Sequence, residues 1–190
     1  NYPVYYNPLL GVNNQFYKTT VNRNLGNVYA SVTITKHIGF RSEFGLDQLN
    51  QTEESYYGRI TARNSGVPNG SGAYSTNSVI NLNTNNYFNY KQSFNGRHDL
   101  DALIGMSFQN RNYEFSNASG EQFPSDAYKK LSSAASKTDA NTTSTSSTLL
   151  SYFARLNYKL DDKYLIALSS RIDGSSRFGA NHRYGFFPAG

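Results

Sequence analysis

Cysteine is absent from this 190-residue chain, which excludes disulfides and cysteine-based metal sites and selects no compartment. No stretch approaches the ~18 consecutive apolar residues that a transmembrane helix needs. A hydrophobic content of 37% and a mean hydropathy of -0.62 are too polar for a helical membrane protein. Basic runs are missing too. The 18 Lys and Arg stand singly apart from Lys129-Lys130, so the net charge of +5 and pI ≈ 9.3 form no stripe for a nucleic-acid backbone, and no nucleic-acid partner is expected. Asn1 to Leu10 hold neither a basic n-region nor an apolar h-region, so no secretory signal is read there. The chain begins and ends abruptly, which leads to the expectation of a piece of something longer.

What is present is aromatic and polar at once. Tyr and Phe number 16 and 12 and make up the 15% aromatic content, too rich for a disordered segment. Aromatics among abundant Asn, Ser and Thr, without a long apolar run, suit strands that show one face to lipid and one to water.

Six segments alternate with period two, the sign of half-buried strands. Near 27–35, Val28, Ala30, Val32 and Ile34 alternate with Tyr29, Ser31 and Thr33. From 38, Ile38, Phe40, Phe44 and Leu46 oppose Gly39, Arg41, Glu43 and Gly45. The windows near 79–94, 99–110, 149–160 and 163–173 repeat the pattern, with Ile80, Leu82 and Phe88, then Ile104, Met106 and Phe108, then Tyr152, Ala154 and Leu156, then Ile166, Leu168 and Ile172 on the apolar side. Nearly every apolar position is even-numbered.

The connections alternate as strictly as the strands. Lys36-His37, Asn95-Gly96-Arg97-His98 and Asp161-Asp162 are tight joins, and Asn-Gly is a favoured type I′ pair. The segments 48–78 and 111–148 read as long polar loops. Compact soluble domains seldom carry such loops, whereas outer-membrane barrels combine short periplasmic turns with long external connections. The Ser/Ala/Thr/Asn/Lys tract from Ser132 to Ser147 reads as a mobile external loop, with a short helix expected near Ser125–Ala135.

These features predict an all-β, antiparallel transmembrane barrel segment of about six strands. In hydrocarbon every backbone polar group must be paired internally, so only helices and closed barrels span, and a tilted strand of ~9–11 residues crosses. Even-numbered apolar residues are expected to face lipid. Arg41, Asn83, Asn85 and Arg155 are the candidates for the lumen, and Tyr158 and Tyr164 for an interfacial girdle. A soluble β-sandwich also alternates and is the competing reading. Six strands cannot close around a plugged lumen, so continuation into further strands is expected.

Chemistry-bearing clusters are sparse. Asp99 and Asp101 share a strand face, read as two charges near a rim rather than a paired-carboxylate site. His37, His98 and His182 lack ligand spacing, and no metal site is expected. Arg171-Ile172-Asp173-Gly174-Ser175-Ser176-Arg177-Phe178-Gly179 lacks the spacing and following helix of a phosphate loop, and reads as a strand ending in Asp-Gly with arginines available for ion pairs. Asn-x-Ser/Thr triplets at Asn50, Asn69, Asn117 and Asn141 carry little weight in so Asn-, Ser- and Thr-rich a chain. No catalytic residue or cofactor is expected.

Tyr152-Phe153-Ala154-Arg155-Leu156-Asn157-Tyr158, then Asp162-Lys163-Tyr164-Leu165, the stretch Arg171–Gly179 and Arg183-Tyr184-Gly185-Phe186-Phe187-Pro188 together resemble the SusC/RagA family of TonB-linked outer-membrane proteins. Asn24–Tyr29 with Phe40–Gly45 resembles an earlier strand pair of that family more weakly. The resemblance implies a barrel of roughly 22 strands with a plugged lumen, in the outer membrane of a Gram-negative bacterium. Residues 1–190 would be barrel, with plug domain, TonB box and remaining strands outside them. It implies import of glycans or peptides, a SusD-like surface lipoprotein as lid, the TonB complex engaged through other parts of the protein, and contact with bilayer and lipopolysaccharide. The segments 48–78 and 111–148 are the candidates for substrate or lid contacts. Another outer-membrane barrel, such as a porin, secretion or assembly component, is the alternative, followed by a surface adhesin.

Overall fold

The structure is a computed structural model that describes residues 8–61, 70–179 and 183–190. A short helix α1 (Pro8–Asn14) precedes seven strands: β1 (Gln15–Thr33), β2 (Ile38–Tyr57), β3 (Ser71–Phe94), β4 (His98–Glu121), β5 (Ser136–Leu160), β6 (Tyr164–Ser175) and β7 (Tyr184–Ala189). They form one sheet in sequence order, each strand beside the next. No helix among the described residues is long and apolar enough to cross a membrane, which says nothing of strands.

The chain forms two compact units, and strands contribute to both. One comprises Asn24–Gln48, Ile80–Asn112 and Ser146–Gly190. Its tight turns follow from local chemistry. Asn95 and Gly96 both take positive φ, 53° and 64°, as a type I′ hairpin requires. Asp161 and Asp162 do the same at 52° and 54° without glycine, using the tolerance of Asp for this region. At the β1–β2 join the Thr35 hydroxyl instead accepts from the N–H groups of His37 and Ile38 at 3.2 and 3.1 Å.

Pairing register carries one side-chain set across this unit. Tyr152, Leu156 and Tyr158 lie opposite Ile172, Leu168 and Ile166, and Ile172 lies opposite Phe186. The rings of Phe40 and Phe88 meet at 4.9 Å. The even-numbered residues therefore make one continuous apolar face, and it is open: Ile104 is 64% exposed and Leu168 50%. Phe88, Ala102, Ile104, Ala154, Leu156 and Leu168 border a shallow groove of about 610 Å³ on it, where two alanines interrupt the larger side chains. No second sheet packs there among the described residues, so the sandwich reading is set aside.

The other unit comprises Asn1–Arg23, Leu49–Val79 and Tyr113–Thr145, and it overturns several expectations. The segments 48–78 and 111–148 are not long structureless loops. β2 runs to Tyr57 and β3 starts at Ser71, while β4 runs to Glu121 and β5 starts at Ser136. At 20, 24, 24 and 25 residues, β2 to β5 are about twice the length that crosses a bilayer. Polar cross-strand pairs hold the extensions: Ser78 to Asn50 at 2.9 Å, Asn117 to Asp139 at 2.7 Å, Ser119 with Thr138 at 2.8 Å. Most of the Ser132–Ser147 tract is strand rather than mobile loop. The helix expected over 125–135 is reduced to a single 3-10 turn at Leu131–Ser133.

That turn belongs to a small core. Tyr56, Phe123 and Ala134 are buried, with Phe16 and Leu131 packed against them. The Tyr56 and Phe123 rings meet edge to face at 5.0 Å. Gly72 is required beside them, because a Cβ there would stand 2.9 Å from the Phe123 ring. Lys137 Nζ donates to the carbonyls of Leu131 and Ala134 at 2.7 and 2.6 Å, and the Leu131 carbonyl also accepts the Ala134 N–H at 3.1 Å.

Candidate functional site

Opposite the apolar face, the odd-numbered residues of β2 to β6 form a polar one. Arg41 and Glu43 are ion-paired at 2.7 Å, and the Arg41 guanidinium lies 4.0 Å from the centre of the Tyr29 ring. Glu43 also accepts from Asn85 Nδ2 and the Tyr87 hydroxyl, each at 3.3 Å. Further along, Arg171 pairs with Asp173 at 2.5 Å and donates to the buried Ser151 hydroxyl at 3.0 Å. In each case an acid two positions along the strand neutralises the arginine, since side chains repeat every second residue.

Of the four residues expected on this face, the structure brings Arg41 and Asn85 together through Glu43. Asn83 stands beside Gly45, where an added Cβ would collide with the Asn83 amide. Arg155 lies opposite Ser169 and does not join the Glu43 network.

The turn end is a lattice of charge. Asp99 pairs with Lys159 at 2.9 Å and Asp101 with Lys91 at 3.2 Å, so the two carboxylates are held apart by lysines rather than poised around a substrate. Arg97 grips Asp161 with two bonds, at 2.5 and 2.7 Å. The hydrogen bond from Arg97 holds the Asp161 carboxyl below the usual carboxylate range. His98 Nδ1 and the Tyr158 hydroxyl lie 2.6 Å apart, and His37 Nδ1 lies 3.1 Å from the Lys91 carbonyl. His182 and Asn69 lie outside the described residues. Among the described residues no group of three acids or histidines is placed to hold a metal ion.

The stretch Arg171–Gly179 ends β6 and folds back. The Ser176 N–H donates to the Thr148 carbonyl at 3.0 Å, and its hydroxyl accepts from the Thr148 N–H at 2.8 Å. Gly174 faces Tyr184 across the β6–β7 pair, so closely that a Cβ would stand 2.4 Å from the ring.

No family model matches the chain. Individual proteins do. It is 34% identical over 182 residues to a TonB-dependent receptor of Formosa agariphila, covering 93% of this chain and 17% of that protein. It is 37% identical over 112 residues to the TonB-dependent receptor SusC of Bacteroides thetaiotaomicron, covering 57% of this chain and 10% of that one. The solved RagAB peptide transporter superposes with a TM-score of 0.87 at 27% identity, covering 93% of this chain and 20% of that one. The chain is a barrel segment of the SusC/RagA type. It spans less than a fifth of the length of the curated relatives it matches.

A SusC/RagA-type segment is an outer-membrane β-structure, so the open apolar face finds its solvent in lipid. Two features of this segment escaped the sequence reading. The core around Tyr56 carries no periodicity, because its members come from β1, β2 and the 122–135 connection. The second is a pocket of about 260 Å³ lined by Gln109, Arg111, Ser147, Leu149, Ser175 and Arg177; its arginines sit 66 positions apart in the sequence.

Proposed function

We propose that residues 1–190 are part of the barrel wall of a TonB-dependent importer of nutrient oligomers, glycans or peptides, and take no catalytic step themselves. The observation that carries this is the two-faced sheet, apolar on one side and lined by paired arginines and asparagines on the other, in a chain similar to SusC and to the RagAB peptide transporter. On this reading Arg41, Asn83, Asn85 and Arg155 look into the lumen, where hydroxyls and amides of cargo meet hydrogen-bonding groups. Strands beyond this segment close the barrel around a plug. Energy reaches it from the TonB complex through other parts of the protein. Lipopolysaccharide and phospholipid surround the apolar band.

A SusD-like lipoprotein is the partner this reading requires. The folded 122–135 connection is our candidate for its contact, in place of the broader segments 48–78 and 111–148. Its clasp on Tyr56, and the Lys130–Glu54 pair at 2.6 Å, make it a fixed surface whose ordering cost is already met. The test replaces residues 123–134 by a Gly/Ser linker in the full transporter. Pull-down of the lipoprotein is expected to weaken while heat-modifiable barrel still assembles; undiminished pull-down refutes the contact. Oligomer uptake that survives loss of TonB refutes the importer.

A further inference from the structure

Arginines on the polar face differ in how they are paired. Arg41 and Arg171 are neutralised by Glu43 and Asp173. Arg111 and Arg177 have no carboxylate within ion-pair distance among the described residues, yet both line one pocket with Gln109, Ser147 and Ser175. Arg111 stands on β4. Arg177 stands just past β6, in a turn braced on β5 by the reciprocal Thr148–Ser176 bonds and by its own N–H to the Ser175 hydroxyl at 3.3 Å. Arg177 Nη2 is 3.5 Å from the Ser147 hydroxyl, the one side-chain group bonded to its guanidinium among the described residues. Like charges gathered in a concavity without a counter-ion repel each other and favour an anion. Guanidinium is weakly hydrated and forks onto planar carboxylates. The serines and Gln109 supply further hydrogen-bond donors.

We propose that this pocket is a carboxylate-binding subsite, taking an acidic group of the cargo between Arg111 and Arg177. Assigning the carboxylate to cargo rests on the importer reading; its binding does not. Two sources offer the same chemistry, an acidic peptide and an acidic oligosaccharide, and the probes separate them.

In the purified full transporter, phenylglyoxal labelling of each arginine is followed by peptide mass spectrometry, with hexaglutamate, trigalacturonate, maltotriose or amidated pentaglycine present. One acidic probe is expected to cut labelling of both Arg111 and Arg177 by more than half, and the two neutral probes to leave it unchanged. In an R111Q/R177Q variant that still assembles a heat-modifiable barrel, calorimetric affinity for that probe is expected to fall about tenfold. Equal labelling under all four probes, or undiminished affinity in the double variant, overturns the subsite. TonB-dependent uptake of neutral oligomers without protection removes the subsite and leaves the importer. Protection without any uptake keeps the subsite and removes the importer.

Discussion

The Tyr56 hydroxyl donates to Asp126 Oδ1 at 2.8 Å across 70 residues of sequence, and this bond closes the 122–135 connection onto the end of β2. The same Asp126 oxygen accepts the Arg59 N–H at 3.4 Å, and the Gly58 N–H reaches the Asn14 carbonyl at 2.7 Å. The Tyr56 ring, bonded to Asp126 and stacked on Phe16 with centroids 6.3 Å apart, thus joins three stretches that share no pattern.

Removing that ring is expected to loosen the connection without unfolding the sheet. Tyr56→Phe keeps the packing and loses the hydroxyl, a local cost of about 1 kcal/mol. Tyr56→Ala opens a cavity beside Phe123 and costs about 3–5 kcal/mol. Amide exchange over 123–134 is the measurement. Exchange unchanged in the alanine variant would show that the core does not hold the loop.

Alkali is expected to act at the same place. Burial, then the hydrogen bond to Asp126 and its charge, push the Tyr56 phenol well above the tyrosine range. A group whose folded value is raised contributes fully below its unfolded value, about 10, and that contribution fades as pH rises beyond it. Faster exchange over 123–134 above that pH is expected in the wild type and not in Tyr56→Phe; identical profiles refute the coupling.

At the β5–β6 turn the sign reverses. Arg97 holds the Asp161 carboxyl low, so its contribution is present above the unfolded value, about 3.9, and is lost as pH falls through the folded one. Acid should therefore loosen the turn at 161–163, and Asp161→Asn should remove that dependence. Exchange or backbone NMR shifts read it; a wild-type turn indifferent to acid refutes the pairing.

On the apolar face, Ile104→Lys puts a charge where the sheet meets hydrocarbon. A cost of about 2–4 kcal/mol is expected near the bilayer midplane, read from denaturant unfolding of the full barrel in lipid vesicles. A neutral effect would mean that Ile104 does not touch lipid.

Gly174 and Tyr184 should behave as a pair. Gly174→Val drives a branched side chain into the Tyr184 ring, with an overpacking cost of about 1–3 kcal/mol. Adding Tyr184→Ala should recover much of it, since residues in contact are not additive. Equal losses with and without the tyrosine would show that another contact excludes the side chain.

Much of the membrane portion was legible in the sequence because burial in lipid imposes a period of two. Val28 to Ile34, Ile38 to Leu46 and Leu150 to Tyr158 alternate because one face meets hydrocarbon, and Asn95-Gly96 announces its turn chemically. The extensions were illegible for the converse reason. Ser78, Asn117, Ser119 and Thr138 face water on either side of a strand, so no periodicity marks them, and their strand state comes from pairing with a neighbour. β7 was missed because six residues holding Pro188 carry too little alternation to be read alone.

The order of apolar and polar residues, by itself, determined a two-faced sheet, its tight turns and the side that meets lipid, because those properties are local and periodic. Tertiary structure alone decided where Tyr56 finds Asp126 and how Arg111 comes to share a pocket with Arg177. Such pairings depend on strand register, which places residues far apart in sequence side by side and which no single strand's pattern contains.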